Sequence, residues 1–159
     1  MGIQFETDYN METLTAMAKG LRKTVRKKRS RRVHIFAAVV LIFGLLTILA
    51  TTAGGEPLGA SGVVTLLAML VVILVSLFED KLNAWFARKR LLPGTEHAAA
   101  TFEEDGYVSA TGVTESRFSY AQIVAVAETA RYFVFALSSH HTQAYDKRTI
   151  RGGSVEDFR

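Results

Sequence analysis

Two long apolar stretches constrain this chain more than any other feature of its sequence. Residues 33–52 and 58–78 contain no ionisable side chain except His34, at the edge of the first stretch. A helix of about 20 residues rises ~30 Å, the thickness of the hydrocarbon core of a bilayer. Neither stretch has the polar face of a helix on the surface of a soluble protein. Two transmembrane helices are therefore predicted, at residues 33–52 and 58–78.

Two other structures also produce long apolar stretches. A pair of buried core helices would need more protein around it than a chain of 159 residues supplies. A secretory signal has a short basic start and an apolar core of about 7–15 residues. Here 32 residues precede a longer apolar run, and no cleavage site stands out after it. Both stretches are therefore expected to stay in the membrane.

The positive charges predict how the two helices are oriented. Nine basic residues precede the first stretch: Lys19, Arg22, Lys23, Arg26, Lys27, Lys28, Arg29, Arg31 and Arg32. Four more follow the second: Lys81, Arg88, Lys89 and Arg90. Residues 53–57 carry no Lys or Arg and include Gly54, Gly55 and Pro57, as a tight turn would. Because positive charge stays inside, both termini are predicted in the cytoplasm and the turn at 53–57 outside.

The basic segment before the first span has two possible roles. The net charge is +4, but residues 91–159 hold six Lys or Arg against nine Asp or Glu, so the excess lies beside the membrane. The residues concerned are Arg26, Lys27, Lys28, Arg29, Arg31 and Arg32. They either orient the spans and are solvated, or contact anionic headgroups at ~1 kcal/mol each. No aromatic residues interleave with them, so nucleic-acid binding is not expected.

Amphipathic segments are predicted on both sides of the hairpin. Residues 1–32 contain a strand from Ile3 and a helix from Asn10, whose apolar positions recur every three or four residues. We expect that helix to be a cytoplasmic extension of the first span. Residues 79–98 are predicted to contain the second helix leaving the bilayer, at 79–90, followed by a linker at 91–98. Leu82, Trp85 and Phe86 share one face of that helix, and Pro93 ends it.

Residues 99–159 have the pattern of a small β domain. Asp105-Gly106 joins two short apolar runs as a hairpin turn does. A strand is predicted at 113–118, a hairpin from 124–129 and 132–137, and a last strand at about 142–145. Ser154 is placed to cap a terminal helix, with Asp157 in the capping-box position. The expected product is a meander of five or six strands that ends in a short helix.

Several motifs give the layout a family resemblance. They are Ile3-Gln4-Phe5-Glu6, Phe102, Asp105-Gly106, Phe118-Ser119-Tyr120-Ala121-Gln122-Ile123, Glu128-Thr129, Tyr132-Phe133, Lys147-Arg148 and Gly153-Ser154-Val155-Glu156-Asp157-Phe158-Arg159. With the two spans, this order resembles the YcxB-like family of bacterial membrane proteins. One departure is Asp146, where the family usually has a proline before the lysine. The chain also reaches Arg159 soon after the terminal helix begins, so the cap on the sheet is expected to be incomplete.

The resemblance implies a fold, a location and a lack of catalysis. The fold is a membrane α-helical hairpin followed by a small, mainly β domain, similar to a pleckstrin-homology (PH) or GRAM domain. A short C-terminal helix would close its bent sheet. The location is the bacterial inner (plasma) membrane, which the chain would cross more than once. The resemblance implies no enzymatic activity.

The residues themselves offer little catalytic chemistry. His140-His141 would point to opposite faces of a strand, so the pair is a poor metal chelate and is expected to be exposed in a loop. The acidic turn at Glu103-Glu104-Asp105 is expected to be solvated. Catalytic residues, metal ligands and cofactors are not predicted.

Three functions remain open at this point. The first is a tethered module that binds anionic lipid headgroups, another membrane or cytoplasmic protein, or a second copy of itself. The second is a subunit of an oligomeric transporter or channel, and the third is a membrane enzyme. Lys147, Arg148 and Arg151 form the basic cluster of the tail, either a solvated strand end or a contact for lipid or an acidic partner. We expect the first function, because the spans contain no buried ionisable residue for a transport pathway.

Overall fold

The computed structural model describes residues 2–55 and 57–159. These form two compact units. The helical unit consists of Lys28–Glu79, and the β unit consists of the residues up to Lys27 together with Asp80–Arg159. The apolar helices are therefore inserted into the sequence of the β unit.

The order of the described elements reflects this insertion: one strand and four helices come first, and six strands and a terminal helix follow. The strands are β1 (Ile3–Asp8), β2 (His97–Phe102), β3 (Gly106–Thr111), β4 (Glu115–Ser119), β5 (Ala125–Glu128), β6 (Tyr132–Ala136) and β7 (Thr142–Asp146). The helices are α1 (Met11–Lys23), α2 (Lys27–Ala53), α3 (Ala60–Leu77), α4 (Glu79–Lys89) and α5 (Val155–Phe158). Short 3-10 turns lie at Tyr120–Gln122 and Lys147–Thr149.

The strands form two antiparallel sheets rather than one meander. The first has the order β1-β2-β3-β4 and the second β5-β6-β7. The strand expected from Ile3 is present, and it pairs with β2 along its whole length, with Phe5 opposite Ala100. The two strands of that pair lie on either side of both apolar helices in the sequence, so local patterning gave no sign of it.

An aromatic core lies between the two sheets. Phe5 is 1% exposed and packs with Phe102, Tyr107, Phe133, Phe135 and Tyr145. Phe158 of α5 enters the same core, its ring centroid 4.7 Å from those of Phe5 and Phe102. Ser154 and Asp157 form the predicted capping box at the start of α5. The short terminal helix therefore contributes an aromatic side chain to the core.

The helix α1 packs on the outer face of the second sheet. Asn10 caps it by accepting hydrogen bonds from the backbone N–H groups of Glu12 and Thr13. Gly20 allows close approach, because a Cβ there would lie 2.7 Å from Val134 Cγ1. The helix ends at Lys23, separate from α2. The expected extension of the first span is therefore wrong: the apolar stripe is buried against strands.

The segment that follows the second apolar helix also differs from the expectation. The helix α3 ends at Leu77, and α4 begins after Phe78, so no single helix runs from 58 to 90. The strand β2 begins at His97, inside the linker expected at 91–98.

The helical unit exposes apolar side chains along both of its helices, and each helix is long and apolar enough to cross a membrane. The two approach closely at Gly44, where a Cβ would lie 2.7 Å from Met69 Sδ. Small residues permit such contacts between membrane helices. Gly55, with φ of 75°, lies in the connection between them. Glu56, part of the expected turn, lies outside the described residues. The predicted order of two long apolar helices, a small β domain and a short terminal helix is confirmed.

Candidate functional site

An ion pair joins the two points at which the chain leaves and re-enters the β unit. Arg22 lies in the last turn of α1, and Asp80 lies near the start of α4. Arg22 Nε donates to Asp80 Oδ1 at 2.8 Å, and its Nη2 donates to Oδ2 at 2.7 Å. The side chains are 32% and 17% exposed. This bidentate geometry is the strong form of an arginine–carboxylate ion pair. Both connections to the helical unit therefore start from one place on the β unit.

The candidate basic segment is only partly a set of free cations. Arg26 belongs to the β unit, where its Nε donates to the Ser139 carbonyl at 2.7 Å and its Nη2 lies 3.1 Å from His140 Nδ1. The remaining candidates are exposed at the start of α2 and make no ion pair with the described residues: Lys27, Lys28, Arg29, Arg31 and Arg32. Those five cations are available to an anionic surface.

The helix α4 presents an aromatic face with a cation above it. Leu82, Trp85 and Phe86 are exposed, whereas Ala84 is buried. The rings of Trp85 and Phe86 meet edge to face at 4.9 Å, and Lys89 Nζ lies 3.6 Å from the centre of the Trp85 ring. Tryptophan and phenylalanine beside lysine and arginine are typical of helices that lie at a lipid interface.

The basic cluster of the tail is engaged with carboxylates. Lys147 is 11% exposed, donates to Glu128 at 2.5 Å and lies 4.6 Å from the centre of the Phe133 ring. Arg148 and Arg151 are mostly exposed and pair with Asp146 and Glu6, at 3.1 and 3.2 Å. The structure thus gives all three cations a partner within the domain, and Lys147 is a packing residue as much as a charged one.

Glu128 and Asp146 are the carboxylates that pair with most of these cations. Hydrogen bonds from Arg159 and then Lys147 lower the pKa of Glu128 to about 2. Asp146 is buried, accepts hydrogen bonds from Arg131 and Arg148, and donates its backbone N–H to Thr7 Oγ1 at 3.1 Å. A proline at this position has no N–H and no carboxylate, so the departure noted at Asp146 creates a contact with β1.

The predicted histidine and acidic motifs do not converge. His140 and His141 lie in the loop before β7, where their backbone N–H groups donate to Ser138 Oγ at 3.1 and 3.0 Å. Glu103 pairs with Arg117 on the surface. Across residues 2–55 and 57–159 no three His, Asp or Glu side chains are grouped to hold a metal ion.

A cavity that sequence reasoning missed lies between the sheets of the β unit. It has a volume of about 340 Å³ and is lined by β3, β4, the start of β7, α1 and the loop before it, and the segment after α4. Its hydroxyl-bearing residues come from separate parts of the chain, and only the alternation of serine and threonine along β3 and β4 hinted at a shared face.

The comparison with known families bears on the C-terminal part of the chain. Residues 102–159 match the model of a family described as YcxB-like protein. This part of the chain is YcxB-like. The predicted resemblance is thereby confirmed for that segment. No curated protein and no solved structure matches the chain.

The YcxB-like segment is smaller than the folded unit that contains it. The match begins at Phe102, the last residue of β2. The strand β1 and the helix α1 lie before the match, yet they complete one sheet and cover the other. The YcxB-like sequence therefore needs residues from the other side of the apolar helices to bury its core.

Proposed function

We propose that this protein is a non-enzymatic, membrane-tethered module of the bacterial inner membrane. The two apolar helices span the bilayer as a hairpin, both termini are cytoplasmic, and a PH-like β domain is held against the inner leaflet. The domain acts there by contacting lipid headgroups. The Arg22–Asp80 pair carries this proposal, because a hairpin that crosses twice needs both of its connections on one side.

The lipid contact is proposed for α4 and for the cations that begin α2. The aromatic face of α4 follows α3 after one residue, so it enters the headgroup region as the chain leaves the hydrocarbon. Lys27, Lys28, Arg29, Arg31 and Arg32 supply positive charge at the other connection. Two sheets of four and three strands, with Phe158 of a terminal helix in the core, are consistent with a PH-like domain.

The transport alternative receives less support. The hydroxyls of Thr47, Thr51 and Thr65 each donate to a backbone carbonyl of their own helix, at 2.9 Å. Such bonding satisfies a threonine without a polar pathway.

The absence of cysteine from the sequence makes the topology directly testable. Single cysteines are placed at Gly54 and at Ser139 of the full chain, and intact cells are treated with a membrane-impermeant maleimide. We expect Gly54→Cys to be labelled in intact cells and Ser139→Cys only after lysis. Labelling of Ser139→Cys in intact cells would overturn the proposed orientation.

Trp85 is the only tryptophan in the chain and reports on the lipid contact. In nanodiscs with lipids brominated near the headgroup, we expect the full-length protein to show quenched Trp85 fluorescence. Quenching should be weaker when the bromines lie deep in the acyl chain. The matched control is Trp85→Phe combined with Tyr120→Trp, which moves the probe to the 3-10 turn after β4. Equal quenching of both proteins, or of neither, would contradict an interfacial α4.

A further inference from the structure

The cavity in the β unit carries four hydroxyl groups with no partner among the described residues. Ser109 and Ser116 are directly opposite each other in the register of β3 and β4, so their side chains share a face. Thr142 lies at the start of β7, and Tyr9 lies between β1 and α1. No described buried side-chain nitrogen or oxygen lacks a hydrogen bond, so these four hydroxyls are accessible to solvent, and Ser116 is exposed at the mouth of the cavity.

The side-chain NH₂ group of Gln143 supplies two further hydrogen-bond donors to the cavity. Its amide oxygen accepts hydrogen bonds from the hydroxyls of Tyr107 and Tyr145, at 2.7 and 2.6 Å. An amide oxygen has two lone pairs, so both are used. Gln143 is 7% exposed, and that exposure is to the cavity it lines. Its NH₂ group, which makes no hydrogen bond with the described residues, is the part left for a ligand.

The charge of the lining selects the class of ligand. Among the described lining residues there is no Asp, Glu, Lys or Arg, and His141 is the one histidine. Burial, and then the neighbouring Tyr107, raise the pKa of Tyr9 to about 12, so its hydroxyl stays protonated. An anion placed here would lose its water without gaining a counter-charge. A purely apolar ligand would strip water from the open hydroxyls.

Apolar side chains form the rest of the wall together with three threonines. The apolar ones are Phe118 of β4, Leu14 and Met17 of α1, and Leu91; the hydroxyls of Thr95, Thr111 and Thr114 already bond within the protein. A sugar ring has hydroxyls around its edge and C–H groups on its faces, so it meets both kinds of wall. The volume is near the lower end of the range of ~300–1,000 Å³ found for small-molecule sites. We propose that this cavity binds a small, uncharged, polyhydroxylated ring, either as a free sugar or polyol or as the headgroup of a neutral glycolipid.

The proposal is tested on the full chain in an ether detergent without a sugar headgroup, because a maltoside would compete. Saturation-transfer NMR is recorded with methyl glucoside, methyl galactoside, methyl N-acetylglucosaminide and inositol. In a second arm, phosphatidylcholine nanodiscs containing monoglucosyl diacylglycerol are examined by native mass spectrometry for retained glycolipid. Binding of a free ring identifies the soluble source, and retention of the glycolipid alone identifies the lipid headgroup; either result supports the site.

Paired variants connect any binding to the cavity. Tyr9→Phe removes one hydroxyl and should weaken binding roughly three- to tenfold, the effect of one hydrogen bond. Tyr120→Phe removes a hydroxyl elsewhere and should leave binding unchanged. Ser116→Phe fills the cavity mouth and should abolish binding, whereas Glu115→Phe, on the opposite face of the same strand, should not.

Thermal melts by circular dichroism show which variants are folded, and Tyr9→Phe keeps the test valid if Ser116→Phe is not. Absence of binding by all four rings and by the glycolipid would overturn the proposal. Binding that Tyr9→Phe and Ser116→Phe leave intact would also overturn it. Neither result would affect the tethered-module proposal, which depends on α4 and the hairpin.

Discussion

Arg22 and Asp80 are bonded through two parallel contacts of 2.8 and 2.7 Å, although the entire helical unit separates them in the sequence. The pair fastens the end of α1 to the start of α4. It therefore fixes the separation of the two chain segments that lead into the hairpin. Because both side chains are less than a third exposed, water screens this contact less than it screens a pair on the open surface.

A double-mutant cycle should measure the interaction energy between Arg22 and Asp80. Arg22→Ala, Asp80→Ala and the double variant are compared by thermal unfolding of the full chain in detergent, and we expect a coupling energy of about 1–2 kcal/mol. The matched control is Arg117–Glu103, a pair with 74% and 51% exposed side chains, whose coupling should be below ~1 kcal/mol. Equal coupling energies for the two pairs would contradict a special role for Arg22 and Asp80.

The contact between Gly20 and Val134 should behave as a packing constraint. Gly20→Ala brings a methyl group to within 2.7 Å of Val134 Cγ1. Overpacking costs about 1–3 kcal/mol, against a gain of ~1 kcal/mol in helix propensity, so we expect a net loss of up to ~2 kcal/mol. In a Val134→Ala background the same change should cost less, because Cγ1 is removed and the nearest remaining atom of that side chain is Cβ, at 3.1 Å. Hydrogen exchange of the α1 amides measures both effects, and a Gly20→Ala effect that is the same in both backgrounds would disprove the contact.

The β unit should fold without the hairpin only if both of its sequence segments are present. We expect residues 2–27 joined to 80–159 by a flexible Gly/Ser linker to give a dispersed amide NMR spectrum. Residues 95–159 alone lack β1 and α1, expose the aromatic core and should not fold. Phe5→Asp in the linked protein should also unfold it, because that position is 1% exposed. A folded 95–159 fragment would show that β1 is dispensable.

Lowering the pH should destabilise the second sheet, because Glu128 becomes protonated and loses its ion pairs. Its pKa is lowered from 4.5 to about 2 by Arg159 and Lys147, so its ionised form stabilises the folded state. That stabilisation is complete above about pH 4.5 and is lost as the pH falls toward 2. Glu128→Gln should therefore reduce the pH dependence of β5 and β6 amide exchange in this window. Glu115→Gln, an exposed carboxylate without a described ion pair, is the control and should leave that dependence as it is.

The elements that local patterning predicted are those whose causes are local. Asp105-Gly106 makes the β2–β3 turn, Ser154 and Asp157 cap α5, and the apolar runs produce α2 and α3. Periodicity also predicted the helix α1, with its apolar side chains on one face. It could not indicate what covers that face, because Val134 lies far along the chain.

Local patterning also could not predict the contacts of Lys147 or the lining of the cavity. Lys147 reads as a free cation beside Arg148, yet its side chain packs on Phe133 and bonds to Glu128. Tyr9, Ser109, Ser116 and Thr142 come together only through strand register and the meeting of two sheets. Apart from the alternation of serine and threonine along β3 and β4, neither arrangement leaves a spacing signal in one sequence.

The position of β1 has a consequence for biosynthesis. A ribosome releases β1 first, then makes α1, both apolar helices and α4 before any residue of β2 exists to pair with it. Throughout that interval the nascent strand has two open edges and a bare Phe5, which are features that attract chaperones and proteases. The β unit can form only after the hairpin has been synthesised, so a chain that stops before β2 leaves β1 exposed to both.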